Sequence, residues 1–205
     1  MYKTSYDRLS FISTDMKFTL PGNYKQIFIS MVGGGGMGSM SSIQDGIFYS
    51  GAGGGASGAC SRIPFYSDGF VSFVCRVGKG GNKNHPDGGD TEVDVYVDKV
   101  YNTTFSVKGG KAANGHIGGE GGLGYYTFNG LKGSNGTISL SSQTHIAGNG
   151  GSSLHYNGGM GMTYDMIDNS KTSGMYGSGG GGVLPGADES IIGNGGDGFI
   201  LIESI

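Results

Sequence analysis

The amino-acid sequence predicts an all-β fold: a β-sandwich-like sheet with packed glycine-rich helices of the polyglycine or polyproline-II type and protruding loops. Three observations predict it. Glycine supplies 46 of the 205 residues, where an average protein carries about 7%, and each glycine costs a helix about 1 kcal/mol relative to alanine. The apolar residues gather into short runs rich in β-branched and aromatic side chains: QIFISMV at 26–32, GFVSFVCRV at 69–77, EVDVYV at 92–97 and GFILI at 198–202. The glycines gather too, into runs that alternate with these apolar segments.

Composition excludes several classes. Collagen needs glycine at every third position and abundant proline, and this chain has four prolines and no such period. No stretch approaches the roughly 18 consecutive apolar residues of a membrane-spanning helix. Residues 1–10 have no apolar core of a secretory signal, so none is expected. A net charge of −3 with scattered basic residues provides no basic face for nucleic acid and no basic amphipathic helix for a membrane surface. The low net charge and the clustering of apolar residues favour order over disorder. The expected organisation is a short N-terminal segment, 1–15, and a single glycine-rich β domain, 16–205.

Taken in chain order, residues 16–20 (MKFTL), the turn Pro21-Gly22-Asn23 and residues 26–32 read as strand, turn and second strand leading into glycine. Residues 60–65 and 70–75 flank Tyr66-Ser67-Asp68-Gly69, a strong turn. Symmetric pairing across that turn sets Cys60 opposite Cys75. A cross-strand disulfide is then geometrically possible, with two reduced, packed cysteines as the preferred reading. Residues 92–97 alternate, with Val93, Val95 and Val97 on one face. Residues 198–202 are expected inside the sheet.

Glycine runs recur at 33–36, 51–58, 78–81, 109–110, 118–124, 148–151, 158–161, 177–182 and 193–198, with irregular spacing that rules out a fixed-period solenoid. As flexible linkers they would carry a large ordering entropy. As polyproline-II-type helices, with three residues per turn and no internal hydrogen bonds, they turn their N–H and C=O groups outward. Side-by-side helices then bond to each other where side chains are absent. The run 51–58 (GAGGGASG) would span about 25 Å at a rise of about 3.1 Å per residue, and its Ala and Ser residues are expected on an outer face.

Catalytic motifs are weak. Gly33, Gly35 and Gly38 match a dinucleotide fingerprint, but a poor helix former follows and no acid stands about 20 positions on. The four histidines, His85, His116, His145 and His155, lack metal-site spacing. Asp87, Asp90, Glu92 and Asp94 read as a solvated hairpin rim rather than a glycosidase pair. No enzyme activity, cofactor or metal is expected.

Two stretches stand out together. The first is Phe18-Thr19-Leu20-Pro21-Gly22, followed by residues 27–32 and by the run 33–36. The second is Gly195-Gly196-Asp197-Gly198-Phe199-Ile200-Leu201-Ile202-Glu203. With Gly53-Gly54-Gly55-Ala56-Ser57-Gly58 and Val77-Gly78-Lys79-Gly80-Gly81 between them, this order resembles the glycine-rich domain of bacteriophage tail-fibre and receptor-binding adhesin proteins. The resemblance covers residues 16–205. It implies a virion protein assembled in the host cytoplasm, a polyglycine-II frame, and partners among other virion proteins and a host-surface protein or glycan, with a homotrimer as one assembly.

The function expected on this basis is non-enzymatic attachment to a host cell through loops held on a rigid glycine-rich frame. The alternative is a purely structural virion component, such as a head fibre, decoration or connector protein. Candidate contact residues lie where glycine gives way to aromatic and methionine side chains: Phe48, Tyr49, Tyr125, Tyr126, Phe128, Met160, Met162, Tyr164, Met166, Met175 and Tyr176. Methionine adapts to irregular surfaces, and aromatics supply contact area and faces for sugars. The competing structural role for each is capping the ends of the sheet.

Overall fold

The computed structural model describes residues 8–22, 24–126, 128–140, 145–163, 172–185, 187 and 191–205. Every strand pair is antiparallel, and the described residues contain no α-helix. One sheet has the order β1-β11-β3-β6, built from Arg8–Ile12, Phe199–Ser204, Gln26–Val32 and Ala59–Tyr66. A second has the order β2-β7-β8-β9, from Met16–Thr19, Val71–Arg76, Thr91–Val97 and Val100–Val107. A small third sheet, β10-β5-β4, joins Ile138–Ser139, Ile47–Tyr49 and Ser42–Gln44.

The two large sheets share one apolar core. Strands β7 and β8 alternate as their sequences require, burying Val71, Phe73 and Cys75, and Thr91, Val93 and Val95. Ile27, Ile29, Met31, Ile63, Ile200 and Ile202 of the first sheet meet them in the same cluster. β11 lies between β1 and β3, so the last strand is interior as expected. β1, within the segment set apart as 1–15, is an edge strand of that sheet and buries Ile12.

The turn at 66–69 does not make a hairpin. β6 pairs with β3, and β7 pairs with β2 and β8. Both flanking strands carry an apolar face that needs the core, so the chain crosses from one sheet to the other instead of folding back beside itself. The expected pairing of Cys60 with Cys75 is therefore corrected. Cys60 stands opposite Met31, and Cys75 stands between Met16 and Val93. Both thiols are free and buried, and burial pushes Cys60 up to about 11 and Cys75 up to about 12.

A bulge between Ile29 and Met31 puts Arg62 at a positive φ of 50°. Its N–H bonds the Ser30 hydroxyl at 2.9 Å, its guanidinium lies 4.2 Å from the centre of the Phe28 ring, and it pairs with Glu203 at 2.5 Å. Two tight hairpins use paired positive φ values: Asp45-Gly46 (50° and 77°) between β4 and β5, and Asp98-Lys99 (48° and 69°) between β8 and β9. Asp-Gly flanked by strand residues is the sequence signature of the first of these hairpins.

The glycine runs hydrogen-bond to one another with a period of three. In residues 33–39, the N–H groups of Gly33, Gly36 and Ser39 donate to Gly58, Gly55 and Ala52. Those of Gly34 and Met37 donate to Gly89 and Pro86, and those of Gly35 and Gly38 to Gly196 and Gly193. Each partner segment is met again three residues later. Residues 51–58 repeat the pattern toward Val183, Gly180 and Gly177, toward Gly115, Lys111 and Lys108, and toward Ser134 and Leu131. Their carbonyls accept from Gly148 and Gly151, from Gly119 and Gly122, and from Ser39, Gly36 and Gly33. Neighbours thus surround this run on all sides. It has no outer face, and Ala52, Ala56 and Ser57 are buried rather than outward as expected.

At the rim of this network a backbone N–H has no further run to meet, and side chains take its place. Asp87, Asp90 and Asp197 each accept one backbone N–H, from Ala112, Gly109 and Gly80, at 2.7–2.9 Å. Their second oxygens pair with Lys111, Lys108 and Lys79. Asn135, Asn129 and Asn149 cap Gly118, Gly124 and Gly161 in the same way. Partial burial works against the charge on Asp87 and Asp90, but the lysine and the N–H outweigh it and hold both carboxyls below their ordinary value.

On the outer face of the second sheet, Arg76 bonds Asp94 through two nitrogens, at 2.8 and 3.0 Å, and Glu92 at 3.0 Å. The Arg76 hydrogen bonds, with one from Thr104, hold the Asp94 carboxyl low despite desolvation. A depressed carboxyl stabilises the fold above its unfolded value near 3.9, and the contribution is lost as pH falls through the folded value. With the guanidinium half-exposed, about 1 kcal/mol is expected after solvent screening. Thermal melts from pH 7 to pH 2 should show this loss in the native protein, and a smaller one in Asp94→Asn.

Candidate binding surface

The expected contact residues separate into groups. Phe48 and Tyr49 lie in β5, half-buried, with their rings 5.1 Å from His145 and 5.3 Å from His116, so they pack within the small sheet's end of the molecule. Tyr125 is half-buried, edge-on to Phe105 at 5.7 Å, and packs against the main core. Tyr126, beside it at 4.5 Å, stands 81% exposed at a φ of 73°, with Phe128 also exposed. Met160 is exposed, whereas Met162 takes part in the backbone network through Gly182 and Ala147. Tyr164 and Met166 lie outside the described residues. Met175 and Tyr176 are exposed together.

Tyr176 is the one that the fold joins to partners unforeseen in the sequence. β1 and β11 pair with Phe11 opposite Leu201, which places Phe11 and Phe199 as diagonal neighbours on one face. Their rings stack at 5.4 Å. Tyr176 meets Phe199 edge-on at 5.8 Å, Tyr156 lies 4.6 Å from Tyr176, and His155 lies 5.6 Å from Phe199. These five residues line an open cleft of about 420 Å³.

Ser153 ties the two loops of this cluster together. Its hydroxyl donates to the Tyr176 carbonyl at 2.9 Å and accepts the Tyr156 N–H at 3.2 Å. Ser178 closes the next turn by accepting the Met175 N–H at 2.8 Å and donating to the Met175 carbonyl. The Gly177 carbonyl accepts from Ser57 inside the glycine network. Tyr176, at a φ of 44°, is therefore held by a short turn whose base is part of that frame.

A second cleft, of about 580 Å³, adjoins the first and shares Tyr176. Among the described residues its polar side chains are Ser13, Thr14, Lys79, Ser173, Asn194 and Asp197, beside Tyr176. Lys79 and Asp197 are paired at 3.2 Å. The arrangement sets an aromatic shelf beside a hydroxyl- and amide-bearing trough of balanced charge. Neither Phe11, Phe199, His155 nor Tyr156 carries a local signal of this role. Among the described residues no group of three or more His, Cys, Asp or Glu side chains is placed to hold a metal.

A strand-rich chain whose glycine runs bond to one another, with a short terminal strand inside the sheet, defines a glycine-rich β domain. The family described as "Glycine-rich domain" matches residues 12–204, and the chain belongs to that family. No curated protein matches the chain.

Proposed function

We propose that the protein is a non-enzymatic bacteriophage virion protein of the tail-fibre or receptor-binding type, which attaches to the host surface through loops held on a frame of packed polyglycine-II helices. The period-three exchange of backbone bonds supports the helical reading, because three residues per turn returns each N–H to the same neighbour. The observation that carries the attachment reading is the anchoring of Tyr156 and Tyr176, exposed aromatics fixed through Ser153 and Gly177 to a frame with little freedom to move. Preorganised aromatic surface loses little entropy on binding. Asp87, Asp90 and Asp94 are held below the usual carboxylate range, the opposite of what a general acid requires.

Adsorption of the purified protein to a panel of bacterial strains tests this reading. Binding to some strains, lost when residues 160–176 are exchanged for an unrelated loop, is the expected result. A second reading, a structural virion component, is favoured by the edge strand β9, where Val100 and Tyr101 are 69% and 57% exposed. Absence of adsorption to every strain, with tight association to another virion subunit, would establish that reading instead.

A further inference from the structure

Resting on the receptor-binding reading, we infer that the paired clefts on either side of Tyr176 bind a neutral, pyranose-containing polysaccharide of the cell surface. The aromatic cleft presents Phe11, Tyr156, Tyr176 and Phe199 in mutual contact at ring separations of 4.6–5.8 Å. Such a shelf suits the apolar C–H face of a sugar ring, which needs aromatic area and not depth. Both clefts, at about 420 and 580 Å³, fall in the range of small-ligand sites.

The adjoining trough supplies what the rest of a saccharide needs. The side chains of Ser173 and Asn194 hold no hydrogen bond among the described residues, so their donors and acceptors are open to sugar hydroxyls. Charge decides the class of sugar. Among the described residues, Lys79 and Asp197 are the Lys, Arg, Asp or Glu side chains lining the trough, and they neutralise each other at 3.2 Å. Among the described residues an anionic chain would find no unpaired lysine or arginine there, and Asp197 would repel it. Tyr176, shared by both clefts, would sit between consecutive sugar units.

The probe is an array of purified bacterial O-polysaccharides, neutral ones beside ones bearing uronic or sialic acids, with calorimetry on the neutral chain bound most tightly. Neutral chains are expected to bind. Tyr156→Ala and Tyr176→Ala should each weaken binding about ten-fold, while Tyr176→Phe should retain it. Tyr101→Ala, on the other sheet, should change nothing. Melting temperatures establish that each variant folds, and Tyr156→Ala carries the test if Tyr176→Ala does not fold. Three results would overturn the inference: binding unaffected by both alanine variants, preference for the acidic chains, or no polysaccharide bound while cells are bound. The last leaves the receptor-binding reading standing with a protein as receptor. Failure to adsorb to any strain overturns that reading itself.

Discussion

Replacing Gly54 by alanine is expected to lower stability by about 3 kcal/mol, roughly 10 °C in a thermal melt of a chain this long. Gly54 sits in the surrounded run 51–58, donates to Gly180 and accepts from Gly151. A methyl group there would run into the Gly36 carbonyl and crowd that of Met37. Backbone cannot turn aside as a side-chain tip can, so three runs must separate and lose bonds together. Two comparisons isolate the cause. Gly46→Ala keeps open space around the new methyl and costs only about 1 kcal/mol for its φ of +77°. Ser57→Ala, in the same run as Gly54, should leave stability unchanged or raise it by up to about 1 kcal/mol. Its hydroxyl is buried without a hydrogen-bond partner among the described residues, and its Cβ is already accommodated. Equal losses in all three variants would contradict a packed glycine network.

Amide hydrogen exchange is expected to show the second large effect. Residues 33–39 and 51–58 belong largely to no regular strand, and as linkers they would exchange freely. With their N–H groups bonded to neighbouring runs at 2.8–3.2 Å, most are buried from water on every side. Their exchange should be slowed at least about 10⁴-fold, the factor set by a global stability of roughly 5–15 kcal/mol, and should match that of β3 and β8. The hairpin tip at Asp45-Gly46, by contrast, should exchange quickly. Free exchange of Gly54 and Gly55 would remove the basis for a rigid frame, and with it the argument that the loops are preorganised.

Much of the fold was legible in local pattern. Val71, Phe73 and Cys75, and Val93 and Val95, alternate with polar neighbours, and period-two alternation admits one reading when one face must be buried. Ile200 and Ile202 at the chain end belong to the same class. The turn at Ser67 was equally legible as a turn, yet a turn does not say whether the strands beside it will pair or part. That choice went to the core, which both strands had to face. The carboxylates Asp87 and Asp90 look like a solvated rim in sequence, and Asp197 stands out only as part of the C-terminal motif. Their role as caps emerges only when the run on the far side, at Ala112, Gly109 or Gly80, is brought to them.

The contact residues divide along the same line. Tyr126, Phe128, Met160, Met175 and Tyr176 stand exposed, and exposure follows from apolar side chains placed between glycine runs, where no strand can absorb them. Phe48, Tyr49 and Tyr125 satisfy the same rule in sequence, but His145, His116 and Phe105 cover them.

By itself, then, the order of residues determined that the chain would be β-rich, that its glycines would be ordered, and that its last strand would lie inside a sheet. These follow from propensity and periodicity, which act over a few neighbours. The tertiary structure alone decided which runs lie side by side and which aromatics meet. Glycine runs present identical N–H and C=O groups, so their backbone offers no address. Neighbours are chosen by the strands and turns that position each run. The cleft of Phe11, Tyr156, Tyr176 and Phe199 was decided in the same way, because residues so far apart in sequence become one surface only when β1 pairs with β11 and Ser153 reaches Tyr176.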